Sequence, residues 1–233
     1  IASLTSSALQ TLNQSQLLAL NTVQFSSLTV NQLASLATKQ IRWLGTEQLV
    51  ALTTAQAAGL TQVSVGALTT RQLLAMETTD VSALSIGSLS GIGTTQIAAL
   101  SAVHMAALRT TQVAALGTAQ LAALSTDQLV ALRTEAIAAL APSSLKALRS
   151  TQFAALTTDQ VVALSLRQAE GLGTANLAAL TTTQLVAMET ADLAVVAYAG
   201  LQVLRATHIA ALTTDQIAGL GGKQLARLGT AQW

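Results

Sequence analysis

The chain has no cysteine, which excludes a disulfide framework and thiolate metal sites. It has a single proline, Pro142, and aromatic residues make up only 2% of it. Charged residues account for 9%, against about 25% in an ordinary globular domain, and the formal net charge is +1. That balance leaves no electrostatic footprint for nucleic acid or for an anionic membrane surface. Two histidines and three methionines in 233 residues cannot make a regular array of haem ligands. "GLGGKQL" around Gly221 and Gly222 resembles a dinucleotide loop only superficially, because no strand precedes it. The acidic residues are scattered singly, so a calcium loop has no support. Catalysis needs polar groups that converge, and none do along this chain. The expectation is a protein that is not an enzyme, with no cofactor, no metal and no catalytic site.

A long apolar run is also missing. Apolar residues are 51% of the chain, yet nearly every stretch of eight contains Thr or Gln. "LAVVAYAGLQVL" at 193–204 is interrupted by Gln202 and is too short for roughly 30 Å of hydrocarbon. The chain is therefore not expected to span a membrane. It begins at Ile1 without Met and without a basic-then-apolar leader. This suggests an excised or processed segment, with any targeting signal outside it.

What is present is repetition. Stepping by eight from Leu4 gives Leu12, Leu20, Leu28 and so on to Leu228, 29 positions in all. Leu fills 25 of them, and Met76, Ile92, Met188 and Val196 fill the rest. No insertion breaks the frame. Taking this anchor as position one, position three is usually Thr, position five usually Gln, position six always apolar and position eight almost always small. The word is L-x-T-x-Q-[LIV]-A-A, and residues 1–233 read as one continuous array of it.

Eight residues make about 2.2 helical turns, so one long helix would carry its apolar stripe around itself. Ala and Gln are poor strand formers. One short helix per word fits instead. Thr at position three is expected to be the N-cap. Asp127, Asp159, Asp215, Glu47 and Glu135 at position four would then lie at the positive end of the helix dipole. Pro142 replaces the Thr where a missing N–H does no harm. Gly45, Gly93, Gly117, Gly173, Gly221 and Gly229 at position two would terminate the helices. Position six and the next anchor share a helix face. A small position eight implies another backbone close by.

A helix this short cannot stand alone, so the words must stack around a shared core, which defines an all-α repeat solenoid. Gln at position five is expected to form a ladder to the next coil or to the corner backbone. His104 and His208 occupy that position as polar substitutes, and Trp43 breaks the small-residue rule at position eight. Two words per coil would give a flat ribbon of paired helices and three a triangular tube. "GLTQVSVGALTTRQLLAMETTD" from Gly59 recurs as "GLGTANLAALTTTQLVAMETAD" from Gly171, an offset of 14 words. A duplication that kept its place on the coil points to two. Neither end carries a polar capping word, so the unit is expected to come from a longer array or to stack end to end.

"LTTDQVVAL" resembles the opening helix of the DNA-binding repeats of transcription-activator-like effectors. Their base-reading loop and basic charge have no counterpart here, so no nucleic-acid partner is expected. "LTTAQAAGLTQ" and "LGTAQLAALSTDQLVALRT" resemble the octad arrays of very large secreted bacterial proteins, often labelled as adhesins or haem-utilisation proteins. That resemblance implies an extracellular or cell-surface stalk or fibre that associates with itself. The alternative is a solenoid binding module with a partner on one face. Ice binding by a regular Thr array is a more remote one, opposed by a cap role that would commit the hydroxyls inward.

Overall fold

A computed structural model describes residues 3–229. The described residues form 28 α-helices of four to six residues and no strand, one helix for each word. No helix among them is long and apolar enough to cross a membrane.

The helices start one residue earlier than the composition of the word suggests. The N-cap is position two, not position three. Thr53, for instance, has extended backbone with φ −85° and ψ 153°, and helix Thr54–Ala58 follows it. The reason lies in position five. Gln56 stands three residues after Thr53, the spacing of a reciprocal capping box. Thr53 N donates to Gln56 Oε1 at 2.8 Å, and Gln56 N donates to Thr53 Oγ1 at 3.2 Å. The first of these bonds uses only the backbone of position two. It therefore survives where that residue is Ala37, Gly45 or Arg109. Thr at position three becomes the first helical residue, and its hydroxyl is not the cap. Asp127, Asp159 and Asp215 still lie in the first turn, and Pro142 opens helix Pro142–Lys146, where an absent N–H costs nothing.

The glycines at position two are accordingly N-caps rather than terminators. No described residue has positive φ, so no left-handed cap ends a helix. In the six-residue helices the chain simply extends for two residues. Leu44 has φ −57° and ψ 135°, and Gly45 has φ −74° and ψ 155°. This pair bends the chain without reversing it.

Three such corners close one coil. Helix Thr54–Ala58 packs on Val30–Ala34 below and on Thr78–Ala83 above, each three words away. The same rule governs Ser150–Ala154 with Thr174–Ala179. The expectation of two words per coil is thus corrected to three. A two-word coil needs a tight reversal at each corner, and extended residues cannot supply it. The 14-word duplication is not a whole number of three-helix turns, so its place around the coil was not what preserved it. The chain forms two compact units, Ile1–Leu116 and Gly117–Trp233, and this stacking runs through each.

The core lies inside the coils. Position six and the following anchor point inward together, as Leu121 and Leu124 do, each 0% exposed. Burying one such side chain contributes about 1.5–3 kcal/mol, which a helix of five residues could not obtain alone. Position eight is small because the first residue of the helix one coil earlier presses on it. A Cβ on Gly59 would collide with the Val30 side chain, one on Gly219 with Thr190, and one on Gly91 with the Gln62 carbonyl. Trp43 departs from this rule and stays half-buried, with the Lys39 ammonium 4.9 Å from its ring centroid.

Candidate functional site: the glutamine seam

The polar side chains of this protein gather along one structural line. Each corner between two walls ends a short helix and leaves carbonyl oxygens without intrahelical donors. The residue at position five of the coil above is placed over them, because it sits in the first turn of a helix that begins at the same corner. Gln56 shows the result. Its Oε1 holds its own N-cap, while Nε2 donates to Leu28 O at 2.7 Å, Ser26 O at 3.1 Å and Phe25 O at 3.3 Å. Gln40 does the same to Leu12 O and Leu9 O, Gln72 to Leu44 O and Ile41 O, and Gln152 to Leu124 O and Leu121 O. The amides therefore bind the corner backbone, the second of the two ladders considered for them; they do not pair with each other.

The seam is dry. Gln112 and Gln152 are 0% exposed and Gln56 2%. A buried amide costs several kcal/mol unless its hydrogen bonds are made, so geometry at position five is tightly constrained. Position two assists in places: Arg109 and Arg149 each donate to the anchor carbonyl that the seam glutamine already uses, Leu84 O and Leu124 O, both at 3.0 Å.

Substitutes at position five keep part of this arrangement. His104 places Nε2 2.9 Å from Met76 O and Nδ1 2.6 Å from Ser101 Oγ. His208, 0% exposed, accepts from Arg205 N at Nδ1 and lies over the Leu180 carbonyl. Burial and the Arg205 guanidinium push its pKa down, opposed by the bond to Leu180. Asn176 reaches Leu148 O at 3.5 Å, and the Ser88 hydroxyl donates to Leu60 O.

Two members were missed among acids read as scattered singly. Asp80 and Asp192 also fall at position five and are 2% exposed each. Burial pushes both carboxyl pKa values up. The signal was available: both occupy the Gln frame, in the duplicated segments that open "MET" at Met76 and Met188.

Other chemistry does not converge. Among the described residues no three His, Cys, Asp or Glu side chains stand where they could share a metal ion. The most exposed aliphatic side chains, Val23, Val63 and Val103, recur every five words. Five is not a multiple of three, so they fall on different walls and form no patch.

A family model described as the ALTTAQ repeat matches residues 30–62, 73–110, 104–134 and 134–166, together more than half of the chain. No curated protein matches it.

Proposed function

The chain belongs to the ALTTAQ repeat family, and from that membership we propose that it is a structural element, a rod or stalk segment on a cell surface or outside the cell, that associates with its own kind end to end or side by side. The observation that carries this reading is the seam. Buried polar groups usually mark a site for a ligand, but here their donors and acceptors are turned on the next coil of the same chain. Identical joints from coil to coil suit a load-bearing scaffold of adjustable length. The octad arrays of large secreted bacterial proteins, which the words resemble, support the extracellular placement. In this reading the chain performs no catalysis and binds no nucleic acid.

The test is negative-stain electron microscopy of the purified protein over a range of concentrations, with size-exclusion chromatography alongside. Uniform fibres much longer than one chain, in a heterogeneous high-mass fraction, are the expected result. Discrete particles of one-chain mass at every concentration would overturn self-association and favour a binding module, to be pursued by surface variants on each wall.

A further inference from the structure

A side chain at position five has two tasks. It accepts from the backbone N–H three residues before it, and it donates to the anchor carbonyl 28 residues before it, as Gln56 does for Thr53 N and Leu28 O. Asn176, one methylene shorter, still spans both: Oδ1 lies 3.3 Å from Gly173 N and Nδ2 3.5 Å from Leu148 O. Asp has the shape of Asn, but an ionised carboxylate has no donor.

Asp80 Oδ2 and Asp192 Oδ2 are fully buried and lack any hydrogen-bond partner. The anchors in register beneath them are Leu52 and Leu164, and no described side chain donates to either carbonyl. In the rest of the seam the equivalent oxygens of Leu12, Leu20, Leu28, Leu44, Leu60, Leu68, Met76 and Leu84 each receive a side chain from position five. At two corners, then, an acceptor stands over an acceptor in a dry joint. Such an arrangement is costly unless a positive species lies between them, and the smallest is a proton.

We propose that Asp80 and Asp192 are proton-operated joints: each carboxyl is held neutral, its O–H donating to the carbonyl of Leu52 or Leu164, and loss of that proton to solvent loosens the contact between neighbouring coils. The protonated acid reproduces the Asn176 geometry, with O–H in place of N–H. The ionised one sets a carboxylate against a carbonyl at the negative end of a helix.

The surroundings favour the neutral form. Helix Thr78–Ala83, which carries Asp80, packs on Thr54–Ala58 and Ala102–Ala107. The first holds no charged residue and the second only His104. Desolvation raises the Asp80 pKa and the Glu77 charge adds to this, while a hydrogen bond from Thr54 opposes it. Helix Thr190–Val195, which carries Asp192, packs on Leu166–Glu170 and Thr214–Gly219. These bring Arg167, Glu170 and Asp215, all exposed. Desolvation again leads, with the Glu189 charge second.

The sign follows by linkage. A carboxyl raised in the folded state keeps its proton where the unfolded chain has lost it. Stability is then full below the ordinary aspartate value near 3.8 and falls as pH rises through the raised folded values.

The experiment compares the full chain with Asp80→Asn, Asp192→Asn and the double variant by thermal melts followed with circular dichroism, from about pH 4 to about pH 9. Asparagine should raise the melting midpoint by at least about 2 °C per site at the alkaline end and flatten the profile there. Gln216→Asp should install the same alkaline loss at a joint that lacks it. Carboxyl carbon NMR supplies a readout independent of folding changes, and both signals should remain those of the neutral acid well above the ordinary aspartate range. Aspartates that titrate near their ordinary value, or an asparagine pair that leaves the alkaline limb unchanged, would overturn the proposal. So would full recovery of the alkaline melting midpoint on adding calcium or potassium chloride, because the bridging species would then be a metal cation.

Discussion

Replacing Gln56 by alanine removes one side chain and breaks two connections at once. The Leu28 carbonyl loses its donor at 2.7 Å in a residue only 3% exposed. The Thr53 N–H loses its acceptor at 2.8 Å, although Thr53 is exposed and water can reach it. A stranded buried polar group costs about 1–3 kcal/mol, and a rehydrated one much less. Adding the small void left by the amide, we expect a loss of about 2–4 kcal/mol. Gln16 provides an internal standard. It belongs to the same word position and holds Asn13 N at 3.0 Å, but it is exposed and no coil lies below it among the described residues. Gln16→Ala should cost no more than about 1 kcal/mol. Urea denaturation followed by far-ultraviolet circular dichroism measures both. Gln56→Glu refines the test, because it keeps the acceptor and loses the donor; it should be weak at neutral pH and recover in acid. If Gln56→Ala and Gln16→Ala prove equally mild, the seam is not what joins the coils, and the leucine core alone holds them together.

Further variants probe the other contacts. Leu84→Ala empties a 0% exposed anchor and should cost about 2–5 kcal/mol in the same urea assay, while Leu4→Ala, at a 39% exposed anchor, should cost well under that. Gly91→Ala drives a methyl group into the Gln62 carbonyl, a backbone atom that cannot swing aside, and should lower the melting midpoint. Gly222→Ala, with open space around the new methyl group, should leave it unchanged; equal effects would refute the close-approach reading of position eight. His208 has a lowered pKa, so the unfolded chain takes up a proton first as pH falls below about 6.5, and stability contributed there is full above that value and lost toward acid. His208→Gln should flatten this acid limb in pH-dependent melts, and an unchanged limb would show that the imidazole titrates normally.

The period of eight, the helical state of each word and the inward pairing of position six with the next anchor were all legible in the sequence, because an unbroken Leu frame allows little else. Small residues at position eight correctly announced a close neighbour. The cap was misplaced by one residue, for a physical reason. Thr at position three is the most regular polar residue of the word and so drew the cap role. The reciprocal partner of the cap is Gln at position five, and that pairing tolerates almost any residue at position two because it uses the main chain. Gly45 and Gly93 then read as helix ends when they begin helices with ordinary negative φ. The number of words per coil depends on how far two extended residues bend the chain, an angle that residue identities do not encode. Asp80 and Asp192 went unnoticed because a charge reads as surface until the frame shows that its position is interior.

The joint between coils makes no distinction among the three walls, and this bears on how such a chain can change over generations. A gene that gains or loses one word keeps every anchor, cap and seam bond in register. Everything downstream, however, turns onward by one wall. A surface marking confined to one side would be scattered by the first such event, whereas a property carried by every word would pass through unharmed. Lineages that recombine by single words can therefore tune length freely, but they can keep a one-sided feature only by exchanging words in threes.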